Sequence, residues 1–181
     1  MNPAGIGGLG AQQTAQTAVA VEARAVKPLA VNKRAVAQSF SRAASQYDQV
    51  AQLQMQVGSQ LLAMIDRQTA HPIALDIGCG TGNLTQHLQP LCASLIALDF
   101  APGMLQFARA HHGDCIQHFI CADADALPFA RNSLDLVFSN FALQWCEALP
   151  GLLQNLFAIL RPGGQLVFSI PGEKTLWELQ Q

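Results

Sequence analysis

Short apolar runs and amphipathic stretches alternate along the chain from residue 72 onward. Apolar runs of strand length predict five strands, at Ile73–Ile77, Leu95–Asp99, Phe119–Ala122, Leu134–Asn140 and Gln165–Ile170. Between the runs, apolar residues recur at helical spacing, which predicts helices at Asn83–Leu88, Pro102–His111 and Leu149–Leu160. Strands that alternate with helices predict an α/β fold: a parallel sheet with helices on both faces and a ligand over the carboxyl ends of the strands.

The first seventy residues follow other patterns. Residues 1–30 are rich in Ala, Gly, Gln, Thr and Val, hold no aromatic residue and have no clear period, so we expect a disordered tail. Between about Lys33 and Met64, residues such as Phe40 and Tyr47 recur at helical spacing and predict two helices or one bent helix. We therefore divide the chain into a tail (1–30), a helical lid (31–66) and an α/β core (67–181).

Composition narrows the possible environments and partners. The formal net charge of -2 gives no overall attraction to nucleic acid or to an anionic membrane. No apolar run reaches the roughly 18 residues of a membrane span, and the amino end lacks the order of a secretory signal. The five cysteines form no CxxC pair and are odd in number, which indicates reduced thiols in a cytoplasmic protein. We expect no metal site and a monomer.

One heptad carries most of the chemical information. Residues Asp76–Gly82 read Asp-Ile-Gly-Cys-Gly-Thr-Gly, between the first predicted strand and the first predicted core helix, and Asp99 ends the next strand. A strand, a glycine-rich turn, a helix and a carboxylate at the next strand tip form a unit that binds nucleotides. A dinucleotide fingerprint needs a third glycine where this chain has Asn83. The G-x-G-x-G spacing favours a ligand without phosphates that lies against bare backbone, such as S-adenosylmethionine.

Each part of S-adenosylmethionine has a candidate partner. Asp99 can accept two hydrogen bonds from the ribose hydroxyls, and Phe100 can pack on the adenine face. Asp123 can accept from the adenine amino group, while the backbone at Gly78 and Gly80 faces the methionine end. Two alternatives remain open: Asp99 as a cap for the following helix, and Asp123 as a solvated loop carboxylate.

Several motifs together resemble those of class I S-adenosylmethionine-dependent methyltransferases. The heptad and Asp99 are followed by Asp123-Ala-Asp-Ala-Leu-Pro-Phe, Ser133-Leu-Asp-Leu-Val and Leu160-Arg-Pro-Gly-Gly, and the similarity runs from about Val31 to Ile170. The resemblance implies a Rossmann-like methyltransferase fold and S-adenosyl-L-methionine as cofactor. It also implies that the cofactor-binding residues are Asp76, Gly78, Gly80, Gly82, Asp99, Phe100, Met104, Asp123, Ala124 and Asn140.

Two further stretches are similar to malonyl-acyl-carrier-protein O-methyltransferases of biotin synthesis. They are Ser139-Asn-Phe-Ala-Leu-Gln-Trp-Cys146 and the segment from Val31 through Phe40 to Tyr47-Asp. This resemblance implies methylation of the free carboxylate of a malonyl thioester on an acyl carrier protein, with substrate-pocket candidates Tyr47, Arg42, Gln144 and Trp145. No residue is assigned as catalytic. Tyr47 and Trp145 are alternatively packing aromatics.

Other functions stay open at this stage. One is a small-molecule C- or N-methyltransferase, acting for example on a quinone; another is a non-catalytic module that only binds the cofactor. The family sheet has seven strands, whereas this chain predicts five. We therefore expect a carboxyl-terminally truncated core that lacks the last two strands and part of the acceptor site.

Overall fold

A five-stranded parallel sheet forms the centre of the computed structural model, which describes residues 32–172. The strands are β1 (Ile73–Ile77), β2 (Ser94–Asp99), β3 (His118–Cys121), β4 (Leu134–Asn140) and β5 (Leu160–Ser169), in the order β3-β2-β1-β4-β5. The α-helices are α1 (Lys33–Val50), α2 (Gln52–Ala63), α3 (Pro102–His112) and α4 (Leu149–Ile159). Short 3₁₀ helices cover Thr85–Leu91, Ala124–Ala126 and Leu143–Trp145. The predicted α/β class is confirmed, while the prediction for residues 1–30 lies outside the described residues.

Alternate side chains along the strands pack into two separate hydrophobic cores, one on each face of the sheet. On β1, Ala74 packs in the core that contains Leu61 of α2 and Leu105 of α3. The next residue, Leu75, packs in the opposite core together with Leu152 and Leu156 of α4. Because successive strand side chains point to opposite faces, the uninterrupted apolar runs of the sequence are those of a sheet covered on both faces.

Helix α1 lies apart from both cores, above the carboxyl ends of the strands. It starts after Asn32, whose side-chain oxygen accepts from the Ala35 amide at 3.1 Å and so caps the helix. Its residue Ala44 is buried against Ala101 and Met104 at the start of α3. The chain breaks at the buried residue Ala51 and continues as α2, so the prediction of two helices is confirmed.

Two predicted elements differ from the structure by more than one residue at a boundary. The segment predicted as a helix at Asn83–Leu88 forms a 3₁₀ helix at Thr85–Leu91 instead, with Pro90 inside it. Proline removes an i→i−4 hydrogen bond and its ring clashes with the carbonyl four residues earlier, so no regular α-helix continues through Pro90. The fifth strand begins at Leu160 rather than Gln165, because the Arg161-Pro-Gly-Gly segment is a bulge that shifts the register between the pairs Leu134–Leu160 and Leu136–Gln165.

One edge of the sheet is formed by β5. Within residues 32–172, β5 pairs only with β4, along six registered residue pairs. No helix within residues 32–172 is both long enough and apolar enough to cross a membrane.

Candidate cofactor site

The glycine turn after β1 forms the floor of the site. The amides of Gly78 and Cys79 both donate to the Leu98 carbonyl of β2, at 2.7 and 3.1 Å. Gly78 has φ +74° and a Cβ there would stand 2.2 Å from the Cβ of Ala142, so no side chain fits. Gly80 has φ +55°, and apart from Gly80 and its two chain neighbours no atom of residues 32–172 lies within 4 Å of the place a Cβ would take. The turn therefore presents bare backbone to an open space.

Asp99, the last residue of β2, stands at the centre of this space. Its carboxylate is buried, with one oxygen accepting from the Gly80 amide at 2.9 Å and the other from the Ala101 amide at 2.8 Å. Burial raises the pKa of Asp99, although hydrogen bonds from the Ala101 and Gly80 amides act in the opposite direction. No cation among residues 32–172 forms an ion pair with it. Each oxygen keeps a lone pair that a hydroxyl donor of a ligand can use.

The space around Asp99 consists of three adjoining cavities that share Gly78. The first lies under α1 and α2 and is lined by Tyr47, Asp48, Gly80 and Asn140 among others. The second is mostly apolar and is lined by Phe100, Ala122, Asp123, Ala124 and Trp145 among others. The third joins them, and Asp99 and Phe100 line it together with Met104. A long ligand with one polar and one aromatic end fits such a site.

An aromatic cluster closes the site from α1. The ring of Phe40 meets Tyr47, Phe100 and Trp145 edge to face, with centroid distances of 6.0, 6.4 and 5.9 Å. Edge-to-face contacts of this kind stabilise aromatic pairs beyond their buried area. Burial raises the pKa of Tyr47, and the nearby carboxylates of Asp99 and Asp48 raise it further. Tyr47 is therefore a neutral phenol at neutral pH.

A second acid lies beneath the turn. Asp76 of β1 is 2% exposed and accepts from the Thr85 hydroxyl at 2.6 Å. Burial raises its pKa to about 7, against the opposing effect of the Thr85 hydrogen bond, while the nearby Asp99 raises it further. Asp76 thus connects β1 to the 3₁₀ helix that follows the glycine turn.

Comparison with known families decides between the possible nucleotides. Residues 75–168, more than half of the chain, match the methyltransferase domain. The chain belongs to the methyltransferase domain family. The resemblance stated from the motifs is thereby confirmed.

Curated relatives of this chain are named as proteins of biotin biosynthesis or as malonyl-[acyl-carrier protein] O-methyltransferases. The chain is 47% identical over 152 residues to the biotin biosynthesis bifunctional protein BioHC of Cellvibrio japonicus, covering 84% of this chain and 30% of that protein. It is 41% identical over 154 residues to malonyl-[acyl-carrier protein] O-methyltransferase of Yersinia pestis, covering 85% of this chain and 57% of that protein. The chain therefore spans only about a third to a little over half of the relatives it matches.

Solved structures have the same fold. The putative methyltransferase in complex with the Haloferax volcanii Trm112 activator superposes with a TM-score of 0.65 at 26% identity. The alignment covers 72% of this chain and 59% of that chain. The methyltransferase fold inferred from the sequence is thus confirmed.

The methyltransferase domain brings most of the predicted cofactor residues together, with two differences. Gly82 faces away from the cavities: a Cβ there would meet His112 and Ala108 of α3 at 3.0 and 3.1 Å. Asn140 lines the first cavity, but its amide donates to the Gln54 carbonyl of α2 at 2.9 Å and accepts from Ser169 at 2.8 Å. Asn140 therefore ties the lid to the sheet.

The four candidates for the substrate pocket separate into two pairs. Tyr47 and Trp145 line the same cavities and pack on Phe40. Arg42 is exposed on α1, where it lines a groove with Arg34 and Pro102. Gln144 is also exposed, and its side chain donates to the Phe141 carbonyl at 2.7 Å. The structure thus brings Tyr47 and Trp145 together and leaves Arg42 and Gln144 on the surface.

The structure bears on two alternative roles: Asp99 as a cap of the following helix, and Asp123 as a solvated loop carboxylate. Asp99 is not the cap of α3, because Ala101 holds that position and no side chain caps the helix. Asp123 does act locally, since it caps the 3₁₀ helix Ala124–Ala126 through the Asp125 amide. The Asp123 carboxylate is also ion-paired, because the ammonium of Lys33 contacts both of its oxygens at 2.8 and 2.7 Å.

Sequence reasoning missed three residues that shape the site. Lys33 reaches the Asp123 loop from α1, and Phe40 is the centre of the aromatic cluster. Asp48 accepts from the Thr81 hydroxyl in the glycine turn at 2.7 Å. All three lie on α1 and meet partners more than 30 positions away, so no local motif contains both partners. Their sequence signals are the charged and aromatic positions on one predicted helix and their place in the family-like segment from Val31 to Asp48.

Proposed function

We propose that this chain is the cofactor-binding part of an S-adenosylmethionine-dependent methyltransferase that methylates the free carboxylate of a malonyl thioester on an acyl carrier protein. The observation that carries the proposal is the buried Asp99 carboxylate beside a glycine turn whose bare backbone faces an open cavity. The names of the relatives, which are malonyl-[acyl-carrier protein] O-methyltransferases and BioHC proteins, support the choice of acceptor.

The described residues fit the cofactor along its length. Asp99 would hold the ribose hydroxyls, and the apolar cavity beside Phe100 would take the adenine, with Asp123 at its rim. The backbone at Gly78 and Gly80 would face the amino-acid end, where Asp48 and Asn140 also line the cavity. The absent Cβ at Gly80 leaves room for a ligand that no other atom of residues 32–172 fills.

When bound, S-adenosylmethionine supplies a methyl group carried on a positively charged sulfur. The chain's own contribution is to position the reactants and to exclude water. Helix α1 covers the site through Phe40 and Tyr47, and an open apolar groove lined by Val36, Phe40, Tyr47 and Trp145 leads outward from it. Such a groove suits the arm of a carrier-bound thioester. A carboxylate acceptor is ionised at neutral pH, so it requires orientation and no proton acceptor from the chain.

A transfer assay tests the proposal. Because the chain spans only 57% of its Yersinia pestis relative, a version extended to the length of that relative is used. It is incubated with methyl-labelled cofactor and malonyl-acyl carrier protein, and the carrier is analysed for a methyl ester that base removes. We expect label on the malonyl carrier and none on acetyl carrier protein, which has no free carboxylate. Label that appears only on small-molecule acceptors would reject the proposed acceptor, and binding of S-adenosylhomocysteine without any transfer would reject the transferase activity.

The variant Asp99→Asn provides the matched comparison in the same assay. It keeps the shape of the side chain but removes the charge that the ribose would contact, so transfer at limiting cofactor should fall. Asp114→Asn changes an exposed carboxylate just beyond α3 and should leave transfer unchanged.

A further inference from the structure

Lys33 is placed where helix geometry does not favour a cation. It is the first residue of α1, and the amino end of a helix carries a partial positive charge that repels an ammonium. The first turn of α1 holds no acidic residue that would offset this. The interactions that keep Lys33 there therefore come from another part of the chain.

Those interactions cross from α1 to the loop after β3. The Lys33 ammonium donates to both oxygens of Asp123, at 2.8 and 2.7 Å, and also to a carboxylate oxygen of Asp125. The Lys33 side chain is only 20% exposed, and the two acids are 41% and 26% exposed. The interaction of one ammonium with two carboxylates in a partly buried position is stronger than that of an ordinary surface ion pair.

Two of the three residues, Lys33 and Asp123, line the second cavity. Lys33 lines that cavity together with Phe100, Ala124 and Trp145, and no other cation of the described chain lines it. This is the space that the proposed function gives to the adenine. The amino-terminal turn of α1 therefore forms part of the wall around the purine.

Resting on that proposed function, we propose that Lys33 is a positioning residue that latches α1 over the adenine end of the bound cofactor. Its bonds to Asp123 and Asp125 hold the first turn of the lid closed and fix the orientation of the Asp123 carboxylate. One Asp123 oxygen accepts from Lys33 and from the Asp125 amide, while the other accepts, among residues 32–172, only from Lys33. The second oxygen keeps a lone pair for the adenine amino group, so the latch and the purine use Asp123 together.

Dissociation kinetics of S-adenosylhomocysteine test the latch. In Lys33→Met, which keeps the length of the side chain without its charge, the dissociation rate should rise about tenfold or more, as for lost charge-assisted hydrogen bonds. High ionic strength should accelerate dissociation from the original protein more than from Lys33→Met. Lys33→Arg should restore slow dissociation in part. Arg34→Met, an exposed neighbour on the same turn, is the control and should stay within about twofold.

A second variant keeps the test valid if Lys33→Met does not fold. Asp125→Asn removes one of the two charged partners and leaves the Lys33–Asp123 contact in place. It should accelerate dissociation by a smaller factor, and the double variant should dissociate no faster than Lys33→Met alone.

The outcomes separate the latch from the function on which it rests. If the original protein fails to bind S-adenosylhomocysteine, the proposed function and the latch are both overturned. If the original protein binds it, but dissociation from folded Lys33→Met or from Asp125→Asn is unchanged, only the latch is overturned. A lower melting temperature with unchanged dissociation would likewise show that the ion pairs serve stability alone.

Discussion

Single carboxylates set the chemistry of the site, and their surroundings give each a different task. Asp99 is buried with two backbone amides on it and no ion-pair partner within residues 32–172, so it can still accept donors from a ligand. Asp76 is buried against a hydroxyl, and Asp123 is held by a lysine. Three acids at one end of a sheet thus fulfil three roles because burial and partners differ.

Replacement of Asp99 by Asn should weaken the binding of S-adenosylhomocysteine. Loss of charge-assisted hydrogen bonds to two hydroxyls costs about 1.5–3 kcal/mol, which corresponds to roughly a 10- to 100-fold higher dissociation constant. Titration calorimetry measures this directly, with Asp114→Asn as the control. An unchanged dissociation constant would remove Asp99 from the site.

Asp76 should make stability depend on pH. Its pKa of about 7 in the folded chain lies above the value near 3.9 of an unfolded chain, so folding takes up a proton between these values. The contribution of Asp76 to the free energy of unfolding is thus complete at low pH and is lost as pH rises to about 7. Relative to Asp76→Asn, the original protein should lose stability across this window in urea unfolding experiments.

The variant Thr85→Val sharpens that test. The Thr85 hydroxyl donates to Asp76 and lowers its pKa, so its removal should extend the loss of stability to higher pH. An identical pH dependence in the original protein and in Asp76→Asn would show that Asp76 does not titrate in this range.

The residues of the glycine turn and the strand tips could be predicted from sequence because they lie in contiguous motifs. Gly78, Gly80 and Asp99 occupy fixed positions after β1 and β2, and their roles in the turn follow from strand geometry. Lys33 and Phe40 could not be predicted in the same way. Their partners Asp123 and Trp145 lie about a hundred positions away, and only the packed fold brings them together.

At the scale of elements, the lid depends on close packing between α1 and α3. Gly103, in the first turn of α3, lies against Ser41, and its amide donates to the Ser41 hydroxyl at 3.1 Å. A Cβ on Gly103 would stand 2.7 Å from the Cα and 2.8 Å from the carbonyl oxygen of Ser41. Backbone atoms cannot rotate out of the way, so the two helices would have to move apart.

The variant Gly103→Ala should therefore lower the melting temperature and weaken cofactor binding together. Displaced backbone in a packed contact costs about 1–3 kcal/mol. Gly151→Ala is the matched control, since Gly151 also follows a proline in the first turn of a helix and has no atom within 4 Å of its Cβ position. It should leave stability unchanged or raise it by up to about 1 kcal/mol. Equal effects of the two variants in thermal unfolding would contradict the packing of α1 on α3.

Elements were predicted from sequence wherever the hydrophobic period was long and uninterrupted. The strands β1 and β4 match their predicted limits because each is an apolar run between polar turns. The segment after the glycine turn misled the prediction, since its helical spacing precedes Pro90, through which an α-helix cannot continue undistorted. The bulge in β5 was also missed, because its register depends on pairing with β4.

At the scale of the whole molecule, the cofactor half of a methyltransferase domain is present in residues 32–172. The strand tips of β1, β2 and β4 meet under α1, and the aromatic cluster joins the lid to the sheet. The chain covers 57% of its Yersinia pestis relative, and the acceptor methylated by the whole protein is the one proposed above, malonyl-acyl carrier protein.

Ligand binding should stabilise the whole molecule. At about 100 times its dissociation constant, S-adenosylhomocysteine should raise the free energy of unfolding by about 2.7 kcal/mol, and so raise the melting temperature by several degrees. NAD at the same concentration should cause no shift, because Asn83 replaces the glycine of the dinucleotide fingerprint. A shift with NAD alone would favour a dinucleotide site.

The most direct measurement is a crystal structure of the chain grown with S-adenosylhomocysteine. The account predicts ribose hydroxyls on the Asp99 carboxylate, the adenine between Phe100 and Trp145 with its amino group near Asp123, and the amino-acid end over Gly80. Clear density for the ligand elsewhere, or an empty cavity around Asp99 at saturating ligand, would contradict the central claim that this turn and this acid hold the cofactor.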